Sequence, residues 1–182
     1  MNMTGDDILS HLRRLGEIFE YPEDVELLLI GGAAGILTKQ LDSTRVTSDC
    51  DVIRFTPRQA EPDVLQAARI LAEESGLPED WLNSKAKLLD ILPDGWHTRK
   101  VHIESLGKLH IYALSRRDFL ATKFYAGSPR DVQDISDIRP TAKELAFVRN
   151  YLNMLRVPTR QANLDQLARS VKLLDAWEGR GR

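Results

Sequence analysis

Apolar and polar residues alternate along this chain with two different periods. Ile8, Leu12, Leu15 and Phe19 recur at helical spacing, so residues 6–20 predict an amphipathic helix. Thr4 or Asp6 supplies its N-cap, and Tyr21-Pro22 ends it. Residues 27–30 form a short apolar run stopped by Gly31-Gly32 and read as a buried strand. Residues 33–41 follow as a helix whose small side chains allow close packing on a sheet. Residues 51–55 predict a second strand, ended by Pro57. Residues 62–75 predict a helix with Val64, Leu65, Ala68 and Leu71 turned inward and Gly76 closing it.

The second half continues in the same way. Residues 80–91 read as helical, and Pro93-Asp94-Gly95 as a turn. Residues 100–104 and 108–114 predict a hairpin around Leu106-Gly107, with His102 and His110 paired across it. Ser115 and Asp118 have the chemistry of a capping box and open a helix to Tyr125. Gly127-Ser128-Pro129 breaks that helix, and residues 130–138 form a short one stopped by Pro140. Residues 141–155 and 163–177 predict two further helices separated by Pro158, and the Gly179–Arg182 end is expected to fray. Strands and helices alternate first and helices alone follow. The expected fold is therefore α/β (α+β), a short mixed sheet flanked by helices over residues 1–139, with a helical extension over 140–182.

Composition narrows the function classes. The chain has 182 residues, a 42% hydrophobic content sufficient for a real core, and a formal net charge of −2. No global basic field announces nucleic acid, although a local basic groove stays open. One cysteine, Cys50, excludes an internal disulfide framework, and with four scattered histidines it offers no zinc-ligand spacing. Long apolar runs and a leader-like segment are missing from the pattern, so no membrane contact and a cytoplasmic location are expected.

The chemistry concentrates between the first two strands. Gly31-Gly32 removes two Cβ atoms where backbone must approach something closely, such as a phosphate. The following helix would aim its positive end at the same place. Thr47-Ser48-Asp49-Cys50-Asp51 then leads into the second strand. Residues i and i+2 of a strand share a face, so Asp49 and Asp51 project together while Cys50 faces the core. Carboxylates roughly 6–7 Å apart repel by about 2–3 kcal/mol at an effective dielectric of about 20. A divalent cation turns that repulsion into binding, and magnesium commonly takes one or two carboxylates plus substrate phosphates. Thr47 and Ser48 add hydroxyls beside them.

This arrangement of strand, glycine turn, helix and Asp-x-Asp strand resembles the polymerase-beta-like nucleotidyltransferase superfamily. Residues 120–138, from Leu120 through Lys123 and Ala126 to Arg130, Asp131, Asp134 and Asp137, resemble a pattern of AbiEii-type toxin nucleotidyltransferases and their small relatives. Trp81-Leu82-Asn83 before Leu92-Pro93 is also similar to those relatives. The resemblance implies a Mg2+- or Mn2+-dependent transfer of a nucleoside monophosphate from a nucleoside triphosphate. Asp49 and Asp51 would be catalytic metal ligands. Gly31, Gly32, Thr47 and Ser48 would contact the nucleotide. Lys123 would steady its phosphates, with Asp131 or Asp134 as the supporting acid and Arg130 bracing one of them. It further implies a third acid, for which Glu104 is the candidate and Asp90 the rival. The acceptor stays open among RNA, protein and small molecules. A toxin with a cognate antitoxin, and a non-catalytic nucleotide- or partner-binding relative, are the alternatives.

Overall fold

A computed structural model describes residues 2–42, 44–88, 91–156 and 163–179. Five strands form one mixed sheet: β1 (Val25–Ile30), β2 (Cys50–Thr56), β3 (Leu82–Asn83), β4 (Val101–Leu106) and β5 (Leu109–Ala113). Their order is β3-β2-β1-β5-β4. β1 lies in the middle, antiparallel to β2 and parallel to β5, which explains why its apolar run is almost wholly buried. The sheet and helices α1 (Gly5–Ile18), α2 (Gly31–Leu37) and α3 (Glu61–Ser75) belong to one compact unit, Met1–Leu88 with Lys100–Leu114. A second unit, Leu89–Arg99 with Ser115–Arg182, holds α4 (Arg116–Ala126), α5 (Pro129–Ile138), α6 (Ala142–Met154) and α7 (Leu164–Gly179). The boundary expected near residue 140 thus falls inside the second unit, where α4 packs with α5, α6 and α7.

Local chemistry explains the ends of most elements. Thr4 caps α1 in a capping box with Asp7, and Ile8, Leu12 and Leu15 are fully buried beneath it. Gly76 closes α3 in the left-handed conformation. Ser128 and Thr141 cap α5 and α6 through boxes with Asp131 and Glu144. α4 is buried on all sides from Asp118 to Tyr125, so its sequence shows little amphipathic contrast.

Three expectations are corrected. A helix over 80–91 does not form at its start, where Leu82–Asn83 is a strand parallel to β2 and Lys85–Leu88 a 3-10 turn. Trp81 is fully buried, its indole donates to the Ala68 carbonyl at 3.0 Å, and its own carbonyl accepts from Cys50 N at 2.6 Å. Burying that indole at the sheet edge outweighs local helix preference; residues 89 and 90 lie outside the described residues. The Ser115–Asp118 capping box is also missing. Asp118 is fully buried and bound by Arg99 at 2.6 and 3.0 Å, and Ser115 Oγ donates to it at 2.5 Å. Finally, His102 pairs with Tyr112 and His110 with Ser105, because the tight turn joining Leu106 to Leu109 sets His110 opposite Ser105. Both imidazoles bond the Ser105 hydroxyl instead, at 2.8 and 2.9 Å. Pro158 and residues 180–182 lie outside the described residues.

Candidate functional site

β1 and β2 bring Gly31 and Asp51 together. Ile30, the last residue of β1, pairs in register with Asp51. The chain then turns at Gly31 with φ +67°, and a Cβ on Gly31 would stand 2.8 Å from Asp51 Oδ2. The sign of φ favours glycine here, and a Cβ would push the Asp51 carboxylate aside. Gly32 follows, half-buried, in the first turn of α2. That helix is only seven residues long, so bare backbone dominates this turn more than a helix dipole does.

Asp49 directly precedes β2 and Asp51 lies within it, both half-exposed, while Cys50 between them is fully buried. Burial pushes the Cys50 thiol far up, and the charges of Asp49 and Asp51 push it the same way. An extra residue, Ile53, bulges β2 opposite the Leu28–Leu29 step, a distortion that commonly re-aims nearby side chains.

Thr47 turns inward. It is buried, bridged to Met3 by backbone hydrogen bonds of 2.7 and 3.1 Å, and its hydroxyl donates to the Asp49 carbonyl and carboxylate at 3.3 and 3.4 Å. Its role is thus to fix Asp49. Ser48 is exposed.

Glu104 is not brought to this pair. It lies on β4, at the opposite edge of the sheet and three strand positions from β2, about 14 Å at roughly 4.8 Å per strand. Arg13 binds it through Nε at 2.9 and 3.2 Å. Asp90 lies outside the described residues. Among the described residues no group of three or more His, Cys, Asp or Glu side chains is arranged to hold a metal. Asp49 and Asp51 therefore remain as a pair, a donor set that suits a magnesium ion completing its shell with substrate phosphates and water.

Sequence reasoning missed Asn83. It pairs in register with Asp51 across β2 and β3, so the two side chains share a face. Asn83 is buried, and its Oδ1 accepts from Lys85 N at 3.0 Å. Lys85 is exposed and salt-bridged to Asp80 at 2.5 Å. Its ammonium pKa is raised by the Asp80 hydrogen bond and charge, with further contributions from Asp49 and Asp51. A cavity of about 610 Å³ runs beside β3, lined among others by Arg69, Asp80, Asn83 and Lys85. The only signal in the sequence was Trp81-Leu82-Asn83, and a two-residue strand is too short to show a period.

The remaining candidates lie in the second unit. Lys123 is buried on α4, and its Nζ meets Asp131 Oδ1 and Asp134 Oδ2, each at 2.7 Å. Asp131 Oδ2 also accepts from the Ser128 amide at 3.0 Å and hydroxyl at 2.6 Å. The Lys123 ammonium is thus held between two buried carboxylates from successive turns of α5. Asp137 is exposed and accepts from Gln133.

Together the fold and this geometry define a mixed α/β protein with a glycine turn set against paired strand aspartates. The chain belongs to the family described as nucleotidyltransferase of unknown function (DUF6036), whose model matches residues 8–169. No curated protein and no solved structure matches the chain. Among the described residues no helix is long and apolar enough to cross a membrane.

Proposed function

We propose that the chain binds a nucleoside triphosphate at Asp49, Asp51 and the Gly31-Gly32 turn and transfers its nucleoside monophosphate to an acceptor. The observation that carries this reading is the Asp51 carboxylate lying over the Gly31 turn, 2.8 Å from where a Cβ would stand, in a chain of a nucleotidyltransferase family. Asp49 and Asp51 would hold Mg2+ or Mn2+, which when bound supplies charge neutralisation for the triphosphate. Gly31 and Gly32 leave room for phosphate oxygens. Thr47 keeps Asp49 in place, and Ser48 is the exposed hydroxyl beside it. In the reaction an acceptor oxygen bonds to the α-phosphorus, the bond to the β-phosphate oxygen breaks, pyrophosphate leaves, and the acceptor proton passes to water. Catalysis of this kind is mostly positioning and charge compensation.

Lys123 would reach phosphate only in exchange for one of its two carboxylates, so the proposal gives the Lys123–Asp131–Asp134 group a bracing role first. The acceptor is RNA, protein or a small molecule. The likeness of residues 120–138 to AbiEii-type toxins extends the proposal to a toxin component with a cognate antitoxin. A second reading, nucleotide binding without turnover, is favoured by the two-carboxylate donor set and by the distance of Glu104.

Pyrophosphate release and incorporation of α-phosphate label into cell extract, with Mg2+ and with chelator, test the proposal. Wild type is expected to turn over with metal only, and Asp49→Asn to stop while folding normally. Unchanged turnover in Asp49→Asn would sink the assignment. Binding without release would favour the second reading.

A further inference from the structure

The second unit carries a concentration of positive charge that nucleotidyl transfer does not use. A cavity of about 430 Å³ is lined by Arg99, Arg116, Arg117, Lys143 and Phe147, with Ser115 and Glu144 completing it. Two of the four cations are balanced. Arg99 holds buried Asp118, and Arg116 holds Glu144 at 2.6 Å. Arg117 and Lys143 are exposed, and among the described residues no carboxylate pairs with either. Two uncompensated charges in one concavity are a large local excess in a chain whose formal net charge is −2.

The two uncompensated cations, Arg117 in the first turn of α4 and Lys143 in the first turn of α6, do not serve the stability of their own helices. Arg116 and Arg117 are the first two residues of α4, at the end of a helix where cations are unfavourable. Phe147 orders the head groups instead. The Arg117 guanidinium lies 5.1 Å and that of Arg99 5.5 Å from the Phe147 ring centroid. Arg99 spends Nε and Nη2 on Asp118 and the Asp94 carbonyl, so Arg117 is the guanidinium at the ring whose N–H edges stay open to oxygen ligands, and its planar fork suits two oxygens of one phosphate group.

We propose that Arg99, Arg116, Arg117, Lys143 and Phe147 form a binding site for the phosphate groups of a single-stranded nucleic acid. Cations interleaved with an aromatic ring are the combination that tracks a strand. A half-buried ring inside a concavity suits a strand better than a flat lipid surface. Free phosphate shares the same chemistry, and the test separates the two. The site stands independently of the Asp49–Asp51 reading.

The experiment is fluorescence anisotropy of a short labelled single-stranded RNA of mixed sequence against the full chain, repeated across a salt series. Arg117→Ala/Lys143→Ala removes two exposed side chains, so the variant is expected to melt as wild type does. Its affinity should fall tenfold or more, and its salt slope should drop by about 1.4, at about 0.7 per lost phosphate contact on a single strand. Asp49→Asn should bind the RNA as wild type does, which keeps a failure of the catalytic assignment separate. Equal binding by the double variant would overturn the proposal. So would absence of RNA binding with a melting-temperature rise in inorganic phosphate, which would assign free phosphate. Preferential binding to phosphatidylserine-containing vesicles would overturn it as well.

Discussion

Single residues separate what the chain's pattern disclosed from what it hid. The Asp-x-Asp spacing and the glycine turn were legible because strand alternation and glycine chemistry are local rules. Cys50 facing away from the aspartates follows from the same alternation, and its burial predicts a thiol that does not react with iodoacetamide until the protein unfolds. Labelling of the native protein at mildly alkaline pH, followed by mass spectrometry, checks this. Gly31→Ala should cost about 1–2 kcal/mol from its positive φ alone and should displace Asp51, weakening metal-dependent nucleotide binding. Urea denaturation and a nucleotide titration measure both losses. The partners of Lys123 were not legible, since spacing showed acids on one helix face without showing what would neutralise them. Lys123→Met takes the Lys123 ammonium from the buried Asp131 and Asp134 carboxylates and should destabilise by about 3–5 kcal/mol. A loss within about 0.5 kcal/mol in denaturant titration would contradict a structural role for the group.

At the scale of elements, long periodic segments were readable and the sheet edge was not. The helices at 5–18, 61–75, 142–154 and 164–179 fall within a few residues of their hydrophobic periods. β3 escaped because only Leu82 and Asn83 pair, and the burial of Trp81 that draws them to the sheet is a tertiary effect. Gly16 in α1 looks from its sequence like a weak point in a helix. Yet a Cβ there would lie 2.4 Å from the Leu106 Cβ of β4, so Gly16→Ala should destabilise despite better helix propensity. Thermal melting gives the sign directly. His11 on the same helix lies against the Trp81 ring at 5.8 Å, and its pKa is lowered by burial, with Arg14 acting the same way and Asp7 opposing. A lowered histidine pKa means the unfolded chain binds more protons. Stability should therefore fall as pH drops through the ordinary histidine range, and His11→Leu should flatten that slope. Denaturant midpoints at neutral and mildly acidic pH provide the comparison.

For the whole molecule, fold class followed from the alternation of strand and helix periods, whereas the partition of the chain did not. Ser115–Ile138 reads in sequence as a continuation of the core, but α4 is surrounded by α5, α6 and α7 in a separate compact unit. A central helix buried on all sides shows no polar face that would reveal its neighbours in advance. The carboxylate pair and the Lys123 group consequently belong to different units, and the central claim rests on Asp49 and Asp51 in the first. Thermal melting with each of the four nucleoside triphosphates, with and without Mg2+, on wild type and Asp49→Asn, tests that claim most directly. A ligand at about 100 times its dissociation constant adds about 2.7 kcal/mol, a shift easily seen. The account predicts that at least one triphosphate raises the wild-type melting temperature only with Mg2+ and leaves Asp49→Asn unmoved. An equal rise in both proteins, or none in either, would contradict it.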